Sequence, residues 1–398
     1  MEEIKSILPS VWSRCQGYVR GWRTNAKVVV IESDDWGSIR VSSRSAYDEL
    51  VARGWAMERS CYSVDALETD EDLELLYSVL ESVRDCRGRP ACMTANMVTA
   101  NPDFQRIREA EFKEYYYQPV ESALASSSQR KGVAESWHEG MKKKVFLPQL
   151  HAREHVQWWE WLEALRNGSE EATTTFGLGM CGVPLAVSKE SQSFYKPIYV
   201  RRDRLEAHGV DVESVVRESV ELFERQFGFR SLSTIAPNVT WSENIERIWS
   251  SLGIKYLQGG FIQYLSMPNG TRRRSHFVGE RNPHGCLYLV RNCNFEPSKR
   301  PKGNSWEKCL SEISLAFKFK KPAIVCSHRV NYIGAIDPDN RDRGLHQLKA
   351  LLGAICSRWP DVYFLSSPEL GYMVEQGFSR VEELEGKEDY IFPAVDIV

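Results

Sequence analysis

The sequence predicts an α/β protein, a distorted (β/α) barrel of about seven strands with long loop insertions. Short apolar, β-rich runs recur along the chain, each of a length suited to a strand buried on both faces. Helical stretches separate them, giving roughly eight alternations without a Pro- or Gly-rich linker. At 42% hydrophobic and 26% charged, the 398 residues carry enough apolar material for a large core and lie outside disordered or fibrous compositions.

In chain order the predicted strands are Val28–Ile31, Cys92–Val98, Val145–Leu150, Leu232–Ala236, Ile254–Leu257, Cys286–Val290, Ala323–Cys326 and Val362–Leu365. The clearest helices are Asp70–Val83, Val156–Leu165, Arg204–Phe227, Ser242–Leu252, Trp306–Phe317 and Leu345–Arg358. In the helix after His155, Trp158, Trp161, Leu162 and Leu165 fall at i, i+3, i+4 and i+7, and Asn167-Gly168 supplies a stop, so this stripe reads as core packing. Residues 1–25 read as an N-terminal extension, 26–378 as a single catalytic barrel and 379–398 as a tail. Three polar stretches, about 111–144, 182–204 and 263–283, are too long for ordinary connections and form either the rim of a site or an oligomer contact.

Fifty-one Lys and Arg against 54 Asp and Glu leave a net charge of -3, which disfavours a nucleic acid or an anionic membrane as the main partner. No apolar stretch approaches the ~20 residues that span a bilayer, and charges scatter through Met1–Arg23, so neither a membrane span nor a signal peptide is expected. The ten cysteines lie far apart without a C-x-x-C pair and read as reduced thiols. The expectation is a cytoplasmic enzyme or binding protein.

Several predicted strands run directly into ionisable residues at their C-terminal ends, the face on which barrels carry catalysis. Val28–Ile31 leads to Glu32-Ser33-Asp34-Asp35-Trp36-Gly37, Val145–Leu150 to His151-Ala152-Arg153-Glu154-His155, Leu232–Ile235 to Ala236-Pro237-Asn238, and Ala323–Cys326 to Ser327-His328-Arg329. His151 and His155, four apart, project from one face if they share a helical turn and can grip one metal ion. Of Asp34 and Asp35, one can complete a His-His-Asp site while the other stays free as a base. His328 is a second acid/base candidate by its place at a strand end.

Other motifs carry less. Gly177–Gly182 matches G-x-G-x-x-G but is followed by Pro184 and a polar run where a helix should begin, and reads as a loop. Asp337–Asp342 has Arg341 where a calcium loop needs an oxygen ligand, and reads as a turn and cap. Lys142–Lys144 and Arg272–Arg274 read as solvated faces, with an anionic substrate as the alternative.

The order of these motifs resembles the polysaccharide deacetylase superfamily, metal-dependent hydrolases on a distorted β/α barrel: Asp-Asp after the first strand, H-x-x-x-H after a middle strand, a Pro turn, then a late histidine. The resemblance implies Asp34 as catalytic base, Asp35, His151 and His155 as metal ligands, and His328 as general acid. It implies one divalent ion, zinc first and cobalt, nickel or manganese in the same geometry, and removal of N- or O-acetyl groups from a carbohydrate or small acylated substrate. Three positions depart from the family: Ala152 stands where Ser or Thr is usual, Ile235-Ala236-Pro237-Asn238 replaces an Arg-x-Pro-aromatic turn, and no acidic motif to tune the late histidine appears near Ile254–Gly260. Arg153 and Arg329 are the candidates to replace the missing arginine, and Trp36, Glu154, Pro237 and Asn238 complete the set expected around the substrate. Two rival readings keep the barrel: hydrolysis of a non-sugar C–N bond, and a catalytically silent carbohydrate binder suggested by the absent arginine. Glycoside hydrolysis is weaker, since adjacent Asp34 and Asp35 cannot flank a bond across the required ~5 to 9.5 Å without an opposing acid such as Glu154 or Glu296.

Overall fold

The computed structural model describes residues 13–125, 130–200, 202–268 and 270–392. Its centre is a nine-stranded sheet, every ladder of which is parallel. In chain order the strands are β1 (Lys27–Trp36), β2 (Met93–Val98), β3 (Phe146–Ala152), β4 (Ser233–Thr234), β5 (Tyr256–Gly259), β6 (Leu287–Val290), β7 (Cys293–Asn294), β8 (Ala323–His328) and β9 (Val362–Phe364). They lie in the order β6-β5-β4-β3-β2-β1-β8-β7, with β9 paired to the start of β1.

The two ends of that path are consecutive in the chain. Only Arg291 and Asn292 separate β6 from β7, and their N–H groups donate to Gly259 O at 2.7 Å and Ile324 O at 3.0 Å. One segment therefore bridges β5 to β8 and carries the sheet round on itself. This is the distorted β/α barrel expected from the alternating pattern, and all eight expected strands are present.

The apolar starts of the strands pack against the surrounding helices; Val28, Val29, Val30 and Ile31 are each at most 2% exposed. Such burial contributes about 1.5–3 kcal/mol per large side chain. The barrel interior is different in kind. Glu32, Thr94, Asn96, Gln149, Ser233 and Gln258 are at most 1% exposed and form a hydrogen-bonded polar layer beneath the C-terminal mouth.

Several expectations need correction. His151 lies on β3 and His155 in the turn after it, so no helical turn unites them. The helix expected over Arg204–Phe227 is two, Arg202–Ala207 and Val212–Phe227, because Gly209 adopts a left-handed φ of 68° and Asp211 caps the second helix. In helix Trp158–Arg166, Trp159, Trp161, Leu162 and Leu165 are buried, while Trp158 stacks on Tyr115 at 4.7 Å. The 111–144 insertion contains helix Val133–Lys142, whose buried Trp137 belongs to the main core, and 263–283 contains an antiparallel hairpin, Ile262–Met267 with Gly270–Ser275. Of the three long insertions, 182–204 reaches the mouth of the barrel.

Candidate active site

Along β1, Glu32 and Asp34 share the inward face by the two-residue period of a strand, and Ser33 faces away to accept a hydrogen bond from Trp36 at 3.0 Å. Regular alternation would turn Asp35 outward as well. Instead the β1–β2 register shifts between Ser33 and Trp36, and Asp35 takes a left-handed φ of 75°. Such a bulge re-aims side chains and costs of order 1–3 kcal/mol in strain at a non-glycine residue. Its consequence is that two adjacent carboxylates reach one cavity.

Asp35 divides its two oxygens. Oδ2 accepts from the partly buried Arg40 guanidinium at 3.0 Å, and Oδ1 lies 3.5 Å from His151 Nε2 and 3.8 Å from His155 Nε2. Burial alone would raise this carboxyl, but Arg40 and the histidines hold it well below the usual carboxylate range. His155 is pushed down to about 3, chiefly by burial, so its imidazole is neutral at pH 7. His151 Nδ1 sits 2.9 Å from Ile235 O, which fixes a proton on Nδ1 and turns Nε2 toward Asp35. One carboxylate oxygen and two imidazole nitrogens are a zinc-type donor set, and bonds of 2.0–2.1 Å in tetrahedral geometry would separate ligand atoms by about 3.3 Å. The residues fit such an ion.

Asp34 is held from the opposite side. Arg291, in the two-residue link between β6 and β7, donates to both of its oxygens at 2.7 Å, and Asn96 donates to Oδ1 at 2.7 Å. The same guanidinium donates to Glu32 at 2.5 Å, and Glu32 accepts from Ser367 at 2.6 Å. Burial would raise the Asp34 carboxyl; the Arg291 charge and hydrogen bonds hold it well below the ordinary value.

His328 stands opposite Asp34 in the β1–β8 register, its Nε2 4.0 Å from Asp34 Oδ2. Its Nδ1 lies 2.5 Å from Glu296 Oε1, and Glu296 is also held by Asn331 at 3.0 Å. Burial would depress this histidine, yet the Glu296 carboxylate raises it above the ordinary histidine value, and His328 in turn lowers Glu296 against its own burial.

Asp34, Asp35, His151, His155, Asn238 and His328 line one cavity of about 350 Å³, together with Arg40, Tyr62, Tyr195 and Arg291. Asn238 and Val239 at its mouth both take left-handed φ, 56° and 53°, with Pro237 buried behind them. The other expected residues lie elsewhere. Trp36 is fully buried against Phe146 at 5.0 Å and packs in the core. Arg153 turns to Glu154 at 2.6 Å and Glu218 at 2.5 Å, and so does not reach Asp34. Arg329 is 0% exposed between Asp65 and Glu68, both at 2.9 Å. Neither arginine reaches Asp34; the guanidinium that does is that of Arg291.

Sequence reasoning missed Arg291, Arg40 and Glu296 as the partners of Asp34, Asp35 and His328. Arg291 follows a predicted strand directly, so the rule that pointed to His328 would have reached it. Arg40 lies in the loop after β1, and Glu296 was weighed only as an opposing acid for glycoside cleavage; no spacing links either to its partner. A second group able to hold an ion, Glu296, Cys326 and His328, is flanked by Arg291 at 3.4 Å from Cys326 Sγ and by Lys299 at 3.3 Å from Glu296, which opposes a cation there.

No protein-family model matches the sequence, and no curated protein sequence matches it. Among solved structures, this chain is similar to a Mycobacterium smegmatis protein described as a polysaccharide deacetylase, at 11% identity over 90% of this chain and 93% of that one, with a TM-score of 0.40. It is also similar to a Parabacteroides distasonis protein described as a glycoside hydrolase/deacetylase, at 10% identity over 90% and 74%, TM-score 0.47. A third is 4-alpha-glucanotransferase from Thermococcus litoralis, at 8% identity over 86% of this chain and 39% of that one, TM-score 0.41. At these scores the likenesses decide nothing about chemistry, which rests on the side chains described above.

Proposed function

We propose that this chain is a metal-dependent hydrolase that removes an acyl group, an N-acetyl group first and an O-acetyl group second, from a carbohydrate. One observation carries the reading. Across a single cavity, an Asp35–His151–His155 face suited to a divalent ion opposes two acid/base groups, Asp34 and His328, each clamped by an oppositely charged partner.

A bound zinc-like ion supplies Lewis acidity, polarising the acyl oxygen and lowering the pKa of water from 15.7 toward about 7. Asp34 accepts the proton of the attacking water as oxygen bonds to the acyl carbon. Three hydrogen bonds make Asp34 a weak base, sufficient for an acidified water and fixed in direction. The C–N bond then breaks with its electron pair on nitrogen, and His328, kept protonated by Glu296, donates the proton that makes the amine a tolerable leaving group. Arg40 confines Asp35 to one free oxygen, so it presents a single ligand atom. The absent Pro-turn arginine, the sequence argument for a silent barrel, loses its force because Arg291 holds Asp34.

Among the described residues no helix is long and apolar enough to cross a membrane, and we keep the reading of a cytoplasmic enzyme. Elemental analysis of the protein beside His151→Ala is the test. About one transition metal per chain, absent from the variant, with acetate release from acetylated sugars, supports the proposal; no metal after reconstitution with zinc, cobalt or manganese overturns it. Non-sugar amides in the same panel separate the alternative substrate class.

A further inference from the structure

His328 has two faces. Its Nε2 side looks onto the cavity holding Asp34, while its Nδ1 side and Cys326 also line a second cavity of about 320 Å³. The two cavities share Cys326 and His328 in their walls and so adjoin at the acid/base histidine.

The second cavity is cationic. Lys299, Arg300 and Lys308 line it, against one carboxylate, Glu296. That carboxylate is already engaged by His328, by Asn331 at 3.0 Å and by Lys299 at 3.3 Å. Among the described residues no ion pair joins Arg300 or Lys308 to a carboxylate, and both are exposed on the cavity wall. The first turn of helix Ser305–Lys318 closes one end and adds partial positive charge. A cleft lined by one sign of charge beside a reacting centre concentrates ligands of the opposite sign.

Position gives this charge a meaning. The group that protonates a leaving amine faces the amine-bearing half of the substrate, so that half lies on the His328 side of the cleft. We propose that Lys299, Arg300 and Lys308 form a leaving-group subsite for an anionic substituent, a carboxylate or a phosphate, on the amine-bearing half of the substrate. This rests on the hydrolase reading above and narrows its substrate class from sugars in general to acidic or phosphorylated amino sugars. Arg300, with a planar fork, and Lys308, a point charge, together suit an oxyanion.

Titration calorimetry on the zinc-reconstituted protein tests this with products, which bind without turnover. Glucosamine, glucosamine 6-phosphate and glucosaminuronic acid are the probes, with inorganic phosphate as the bare anion. The expected result is that a charged amine binds about ten-fold tighter than glucosamine, that the preference shrinks in about 0.5 M salt, and that an R300Q/K308Q variant erases it while K318Q, on the same helix but away from the cavity, does not. Whichever of the phosphate and the carboxylate binds tighter identifies the substituent. Equal binding of charged and neutral amines, or a preference that survives R300Q/K308Q, overturns the proposal. Acetate release with no charge preference overturns it and leaves the hydrolase reading standing; charge-selective binding that R300Q/K308Q erases, without acyl release from any substrate, keeps the anion subsite and removes the hydrolase reading.

Discussion

Asp34 and Asp35 are neighbours in the chain and belong to two different electrostatic regions. On the Asp34 side, one guanidinium, Arg291, bridges two inward carboxylates, and both Asp34 oxygens accept hydrogen bonds. On the Asp35 side, Arg40 touches Asp35 and Asp65, and Asp65 continues to Arg329 and Glu68, two guanidiniums among three carboxylates. Both regions are buried, yet only the second leaves an oxygen facing the Nε2 atoms of two imidazoles. On the proposed reading, the fully clamped carboxylate serves as a proton acceptor of fixed direction and the half-clamped one as a metal ligand. The comparison shows how one dipeptide places two carboxylates in two different electrostatic settings.

The sharpest way to break this division is to exchange the roles one residue at a time. Asp34→Asn keeps shape and removes the base, so kcat falls about 10³-fold while metal content measured by elemental analysis is unchanged. Asp35→Ala does the reverse at the level of binding, losing the metal itself.

Stability separates the regions next. Arg291→Met strands Glu32 and Asp34 together at the barrel centre and costs about 3–5 kcal/mol, a deficit that persists when zinc stabilises the variant and the parent alike. Arg40→Met costs a similar amount in the absence of metal, but zinc bound at Asp35 compensates, returning about 3–4 kcal/mol at 100 to 1,000 times its Kd. Thermal unfolding with and without zinc reads both; equal rescue of the two variants would show that the regions are not independent.

The pH dependence gives a smaller effect. Because His328 is raised above its unfolded value near 6.5, its pairing stabilises the fold fully below that pH and the contribution is lost as pH rises through the folded-state value. Glu296 is depressed, so its contribution is present above its unfolded pKa and lost as pH falls through the folded one. For activity, the acid form of His328 sets the alkaline limb of kcat/KM. Glu296→Gln leaves burial to depress the imidazole, so that limb moves to lower pH and the rate near pH 8 falls about ten-fold. An unmoved limb would detach Glu296 from the proton donor. The smallest catalytic change belongs to Arg153→Met, which unpairs Glu154 and lowers thermal stability but keeps kcat within about a factor of two, because Arg153 points away from the cavity.

The strands were legible because a parallel strand with both faces covered is a short apolar run, and Val28–Ile31 or Ala323–Cys326 can hardly be read otherwise. Their ends were not, since β1 continues through Glu32-Ser33-Asp34-Asp35, residues whose polarity marks a loop in sequence but which lie on a buried strand in space. That Arg291 follows a strand could be read locally, but its meeting with Asp34 could not: that depends on β6 and β7 lying at opposite ends of the sheet path, which no local pattern encodes.

By itself, then, the sequence determined the alternation of strands and helices and the residue types at the strand ends, because burial and the period of a strand are written into neighbouring residues. Only the tertiary structure decided which charges meet. Arg291 with Asp34, Arg40 with Asp35 and Glu296 with His328 are joined by barrel closure, a bulge at Asp35 and the β1–β8 register. Buried charges are stable only beside a partner, and the partner is chosen by the path of the backbone through space rather than by distance along the chain.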